Sequence, residues 1–154
     1  MLAMLGSLCW GQEVAETRHL KLTVRASEHR VKPGSRVTLS LEVELKPRMH
    51  VYAPEVEESY IPINWTMAES PAWVAGEVSY PSSKKLHLAA INETVPVYEG
   101  NFRLVRELTL DRSLKRGELT VEGSFRYQAC DDTLCYRPET IPLRWTFFIA
   151  PPGS

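Results

Sequence analysis

Beyond residue 18 the chain alternates. Leu20, Leu22 and Val24 are separated by Lys21, Thr23 and Arg25, and Val37, Leu39, Leu41, Val43 and Leu45 by Thr38, Ser40, Glu42 and Glu44. A repeat of two marks a strand with one face in a core, because successive side chains leave opposite faces of the backbone. Lys32-Pro33-Gly34-Ser35 between these runs reads as a turn, with proline presetting φ and glycine accepting a positive one. Three further runs have the same form: Phe102, Leu104, Arg106, Leu108 and Leu110; Leu119, Val121, Gly123, Phe125 and Tyr127; and Ile141, Leu143, Trp145, Phe147 and Ile149. Weaker strands are expected at 63–67 and 73–80, divided by Ala68-Glu69-Ser70-Pro71, and at 50–53. The expected total is about seven to nine strands.

No window carries a sustained helical apolar stripe with caps, and 11 prolines fall where strands and turns accept them. Many short strands with regular turns imply an all-β, immunoglobulin-like antiparallel β-sandwich, with a barrel as the runner-up. Residues 81–94 lack alternation and carry Ser82, Ser83, Lys84 and Lys85, so an excursion loop is expected there.

Length and charge narrow the function. The 154 residues suffice for one domain with its own core. The 18 basic and 19 acidic residues are interspersed and nearly cancel, leaving no stripe to follow a phosphate backbone, so nucleic acid is not an expected partner. Met1 to Trp10 are almost wholly apolar and end at Cys9-Trp10-Gly11. Residues 1–11 therefore read as the remnant of a signal peptide, without the usual positive start, and 19–150 as the exported domain. Cys9 is a poor lipidation site, because Leu8 stands where a small residue is wanted. With that segment removed, two of the three cysteines remain, and two neighbours in an oxidising compartment tend to pair.

Reactive residues concentrate in one segment, Phe125 to Pro138, which joins two strong strands and contains Cys130 and Cys135. Four residues between the cysteines let both sit at the base of a short loop, within reach of a disulfide. A bridge closing about six residues adds only about 2 kcal/mol in the chain-entropy model, so a stapling role would be better served by a link across the sandwich. Exported domains nonetheless carry many plain structural bridges, and that alternative stays open. Asp131 and Asp132 disfavour a thiolate at Cys130, whereas Arg137, two residues after Cys135 and on the same side of an extended strand, favours one there. Cys135 is accordingly the expected nucleophile and Cys130 its resolving partner.

Tyr127-Gln128-Ala129-Cys130-Asp131-Asp132 followed by Cys135-Tyr136-Arg137-Pro138 resembles the active-site segment of the amino-terminal periplasmic domain of the DsbD thiol:disulfide interchange family. Met49-His50-Val51-Tyr52, Val78-Ser79-Tyr80-Pro81 and Val97-Tyr98-Glu99-Gly100 are similar to further blocks in the same order, and the likeness covers roughly residues 20 to 148. The resemblance implies a sandwich whose disulfide is reduced by a membrane-embedded electron transporter and a thioredoxin-like donor, and which then reduces periplasmic isomerases or cytochrome c maturation proteins through transient mixed disulfides. It also implies that the second cysteine, here Cys135, forms those mixed disulfides. The chain departs from full DsbD in lacking its transmembrane and thioredoxin-like parts, so electrons are expected from a separate protein or from parts outside this sequence. The phenylalanine of the family's protective cap loop is missing from residues 86–94, where Leu88 or Ile91 is the expected apolar lid.

Other residues carry weaker signals. His50 and Tyr52 alternate and so share a face, which makes them a polar wall for partner docking or, equally, a partly exposed pair on an edge strand. Tyr127, Gln128 and Tyr136 flank the cysteines as supporting residues, although Tyr127 also continues the apolar phase of Phe125 and suits a core. His19, His29, His50 and His87 lie far from the cysteines in sequence, so no metal is expected, and no motif asks for a cofactor. Asn64-Trp65-Thr66 and Asn92-Glu93-Thr94 match the glycosylation sequon, which matters only in a eukaryotic secretory host. Hydrolase and phosphate-binding motifs are absent. Two functions follow: a disulfide-reductase electron-relay domain, or a noncatalytic exported binding or adaptor sandwich with a structural disulfide.

Overall fold

The computed structural model describes residues 12–151. The expected signal segment and the end of the carboxyl-terminal tail lie outside the described residues. Thirteen strands run through the described chain. In order they are β1 (Gln12–Glu16), β2 (Leu20–Ala26), β3 (Arg30–Val31), β4 (Arg36–Leu45), β5 (His50–Tyr52), β6 (Asn64–Met67) and β7 (Trp73–Ala75). They continue with β8 (Lys84–Leu88), β9 (Glu93–Glu99), β10 (Asn101–Leu110), β11 (Gly117–Tyr127), β12 (Ala129–Cys130) and β13 (Glu139–Ile149). The excess over the expected seven to nine comes from β3 and β12, two residues each and too brief for periodicity to register, and from β1, β8 and β9, of five to seven residues, which the alternation did not mark.

The result is an immunoglobulin-like antiparallel β-sandwich. One sheet has the order β1-β2-β4-β10-β7 and faces a second with the order β3-β13-β11-β6. All pairings are antiparallel except β3 with β13. The alternation in sequence becomes the core: Leu22, Val24, Leu41, Val43 and Leu104 from the first sheet meet Val121, Phe125, Leu143, Trp145 and Phe147 from the second. Burial of each such side chain stabilises by roughly 1.5–3 kcal/mol. Trp145 also donates its indole N–H to the Arg25 carbonyl at 3.0 Å, tying one sheet to the other.

A third sheet, ordered β12-β5-β9-β8, carries the cysteines. Its two faces have different neighbours. Ala129, Val51 and Tyr98 are successive partners across β12, β5 and β9, and all three belong to the main core. On the opposite face Tyr52, Val95, Val97 and Cys130 form a second, smaller apolar cluster, joined by Val56, Tyr60, Leu86 and Leu88.

The expected excursion loop is therefore corrected. Residues 84–99 form a β-hairpin, with Leu86 opposite Val95 and Leu88 opposite Glu93. Alternation was present but brief: Leu86 and Leu88 are half-buried while Lys85 and His87 are exposed. With one face of β8 on the small cluster and the other in water, two apolar residues suffice. Gly100, at φ 64°, then turns the chain from β9 into β10 within one residue.

Candidate functional site around the Cys130–Cys135 disulfide

Cys130 and Cys135 form a disulfide with their Cα atoms 4.0 Å apart. Asp131 builds the loop between them. Its Oδ1 accepts hydrogen bonds from the backbone N–H of Thr133 at 2.8 Å and of Leu134 at 2.9 Å, and its Oδ2 accepts one from the Tyr136 hydroxyl at 2.8 Å. Short acidic side chains favour this turn because the carboxylate satisfies amides that the tight chain cannot pair otherwise. The amides of Thr133 and Leu134, then the Tyr136 hydroxyl, hold the Asp131 carboxyl far below the usual carboxylate range. Two further bonds anchor the loop: Tyr136 N–H to the Ala129 carbonyl at 2.9 Å, and the Gln128 side-chain amide to the Tyr136 carbonyl at 3.1 Å.

The two sulfurs are presented unequally. Cys130 is 1% exposed, packed in the small cluster, while Cys135 is exposed. Tyr52 serves both: its hydroxyl lies 3.4 Å from Cys130 Sγ and 3.5 Å from Cys135 Sγ. Neither sulfur of a disulfide carries a proton, so the phenol is the donor. Burial raises the pKa of Tyr52, keeping that proton in place.

His50 stands opposite Cys130 in the β5–β12 pairing and edge-on to Tyr52, with ring centroids 5.8 Å apart. It is buried, as is Tyr52, so the pair offers neither an open polar wall for docking nor a partly exposed edge, and the His50 Nε2 has no hydrogen-bond partner. Desolvation lowers its pKa, opposed by Glu99, Asp132 and Asp131.

Tyr127 turns away from the sulfurs. It is fully buried, and its hydroxyl donates to Glu139 Oε2 at 2.5 Å and lies 2.8 Å from Thr17 Oγ1. Of the two lid residues, Leu88 packs against the cluster that holds Cys130, whereas Ile91 is 56% exposed and is not part of it. Sequence reasoning missed Val56 and Tyr60, which complete the cover; Tyr60 lies 4.8 Å from the Tyr52 ring and donates a short hydrogen bond to Glu93. No periodic signal marks residues 54–62, and only the return of the chain over β5 brings Tyr60 there. The Glu93 carboxylate pushes the Tyr60 pKa up to about 12. Among the described residues no group of three or more His, Cys, Asp or Glu side chains could hold a metal ion. A groove of about 430 Å³ between β6 and β7 is lined by Trp65, Met67, Trp73 and Arg106, and no residue around the disulfide lines it.

An exposed sulfur bonded to a buried one, under a phenol donor, is arranged for attack by a second thiol. The family model described as thiol:disulfide interchange protein DsbD, N-terminal, matches residues 20–143. The chain belongs to this DsbD amino-terminal family. Thiol–disulfide interchange is thus the chemistry of the family, and the disulfide of this member occupies the segment that resembles the family's active site. The amino-terminal periplasmic domain of ScsB from Proteus mirabilis shares the fold, with a TM-score of 0.60 and 19% identity over 88% of this chain and 49% of that one. The chain thus spans about half the length of the ScsB domain. The GAE domain of GGA2p from Saccharomyces cerevisiae has a TM-score of 0.51 at 8% identity, covering 86% of this chain and 96% of that one. The reduced DsbD amino-terminal domain of Neisseria meningitidis has a TM-score of 0.47 at 13% identity, covering 82% and 90%. No curated protein sequence matches. No described helix is long and apolar enough to cross a membrane.

Proposed function

We propose that this DsbD-family domain is an exported, periplasmic electron relay that passes reducing equivalents from a thioredoxin-like donor to client disulfides. The observation that carries the reading is the unequal exposure of the two sulfurs: a protein-sized nucleophile reaches Cys135 but not Cys130. The donor thiolate attacks Cys135 Sγ, the internal S–S bond breaks, and Cys130 Sγ leaves with the electron pair. A second donor thiol then displaces Cys135, which leaves the domain as a dithiol and the donor as a disulfide. In the second half-reaction the Cys135 thiolate attacks a client disulfide, and Cys130 attacks Cys135 Sγ, releasing the reduced client and restoring the internal bond. Gln128 and Tyr136 hold the loop, and Tyr52 donates to the sulfur that is leaving.

Trapping tests this order. Cys130→Ser should accumulate mixed disulfides through Cys135 when mixed with a disulfide-bonded client such as an oxidised thioredoxin-fold protein. Cys135→Ser should accumulate few. Equal trapping by both variants, or an internal bond with a potential below about −300 mV that a thioredoxin-like donor leaves intact, would sink the relay and leave the adaptor reading.

A further inference from the structure

His50 has no task in the relay as described, yet it sits beside the leaving sulfur. It is 4% exposed, and its Nε2 makes no hydrogen bond in the oxidised protein. A dry, unpaired polar atom costs stability in the state where it is unpaired, and a redox or catalytic role in another state is one reason for a protein to keep it. Strand register shows what the other state supplies. Cys130, His50 and Glu99 are successive partners across β12, β5 and β9, so the three side chains form one row on the face that holds the disulfide. Opposed residues in an antiparallel pair have Cβ atoms about 4.5–5.5 Å apart. From the far strand Lys84 Nζ holds Glu99 Oε2 at 2.8 Å. In the oxidised protein Cys130 has no proton to share, and only on reduction does it become an S–H donor facing the unpaired ring.

Resting on the relay reading, we propose that His50 is the acid–base partner of Cys130, with the Glu99 carboxylate as its neighbour in the row. Cys130 must gain and lose a proton inside a nearly dry compartment bordered by the carboxylates of Asp131 and Asp132. During resolution of a client, the Cys130 S–H proton passes to a ring nitrogen of neutral His50 as Cys130 Sγ attacks Cys135 Sγ. The Cys130–Cys135 bond forms and the Cys135–client bond breaks. The client sulfur leaves with the electron pair and is protonated by solvent, and the imidazolium returns its proton to solvent. With the donor the same steps run backwards: Cys130 departs with its electron pair and takes the proton from the imidazolium. The charged or titratable groups facing His50 are Glu99 of β9, Asp131 and Asp132 of the loop, and Tyr52 on its own strand. Burial favours the neutral ring, the form that accepts a proton.

The test uses the fully reduced domain and oxidised glutathione. Conversion of the Cys135–glutathione mixed disulfide to the internal bond is followed by acid quench and mass spectrometry between about pH 5.5 and 8.5. In the wild type the rate should already be level at about pH 6.5, the ordinary histidine value, because burial holds the His50 pKa below it. His50→Gln should be about a hundredfold slower at that pH and should recover roughly tenfold per pH unit toward about 8.5, as an unassisted thiol does. Glu99→Gln should keep a plateau but reach it at lower pH, because the carboxylate raises the His50 pKa. A His50→Gln rate and profile equal to wild type would overturn the proposal. So would a wild-type rate that climbs tenfold per unit throughout, a result that needs no variant to fold. A mixed disulfide that forms and resolves with a thiol-like profile removes only the role of His50. One that never forms on Cys135 removes the relay itself.

Discussion

The phenol of Tyr52 reaches both sulfurs because β5 places it one position along from the row that contains Cys130, on the same face. Its hydrogen bond costs nothing to keep in the oxidised state and strengthens when Cys130 departs as a thiolate, since a charged acceptor roughly doubles such a bond. Tyr52→Phe should therefore slow reduction by dithiothreitol about fivefold, the equivalent of about 1 kcal/mol, in a quench-and-alkylation assay. An unchanged rate would show that the phenol only fills space. Asp131 acts on the loop instead. Because its folded pKa is depressed, its contribution is present above the unfolded value near 3.9 and is lost only as pH falls through the lower folded value. Amide-exchange protection of Thr133 and Leu134, corrected for intrinsic rates, should thus stay level from about pH 4.5 to 8. Asp131→Ala should abolish that protection, and Asp131→Asn should retain part of it through the remaining amide oxygen. Full protection in Asp131→Ala would mean that the disulfide alone sets the loop. The sequence made the cysteine pair legible, and alternation placed His50 and Tyr52 on one face. It could not show that Glu99 completes the row, because that depends on the register of β9 across β5, set by chain packing at long range.

Between strands, the cover over Cys130 depends on two segments from different parts of the chain. The hairpin of β8 and β9 brings Leu86 and Leu88, and the connection after β5 brings Val56 and Tyr60. Five strong strands were readable from their alternation because each has a full face in the main core. The hairpin was not, because β8 has only two half-buried apolar side chains and Pro96 interrupts β9. Tyr60 is poised as a lid by its contact with the Tyr52 ring and by Glu93 at the start of β9. Tyr60→Ala should expose the buried sulfur without disturbing the sandwich, so that reaction with a small thiol such as glutathione accelerates while the melting temperature stays within about 2 °C. Leu88→Ala should act in the same direction, and Ile91→Ala, at an exposed site outside the cluster, should do nothing. Should Ile91→Ala alone raise the rate, the lid is the hairpin tip and Tyr60 does not cover the sulfur.

The fold keeps its stability apart from its redox chemistry. Both large sheets and their core exclude the disulfide, which belongs to a satellite cluster on the outer face of the third sheet. A link that closes so short a loop contributes about 2 kcal/mol, whereas loss of one core aromatic, Phe125→Ala for instance, costs about 3–5 kcal/mol. A relay has to remain folded whether oxidised or reduced, because each partner must recognise the same surface. The oxidised and reduced forms should accordingly both melt cooperatively, with midpoints roughly 4–8 °C apart for a domain of this size, when compared by calorimetry with and without a reductant. Phe125→Ala should lower both midpoints together and leave the disulfide potential nearly unchanged, because the core and the small cluster share no buried side chain. If reduction alone unfolds the protein, the bond is a staple on which the sandwich depends, and an element that collapses whenever it gives up its oxidised state cannot carry electrons between partners.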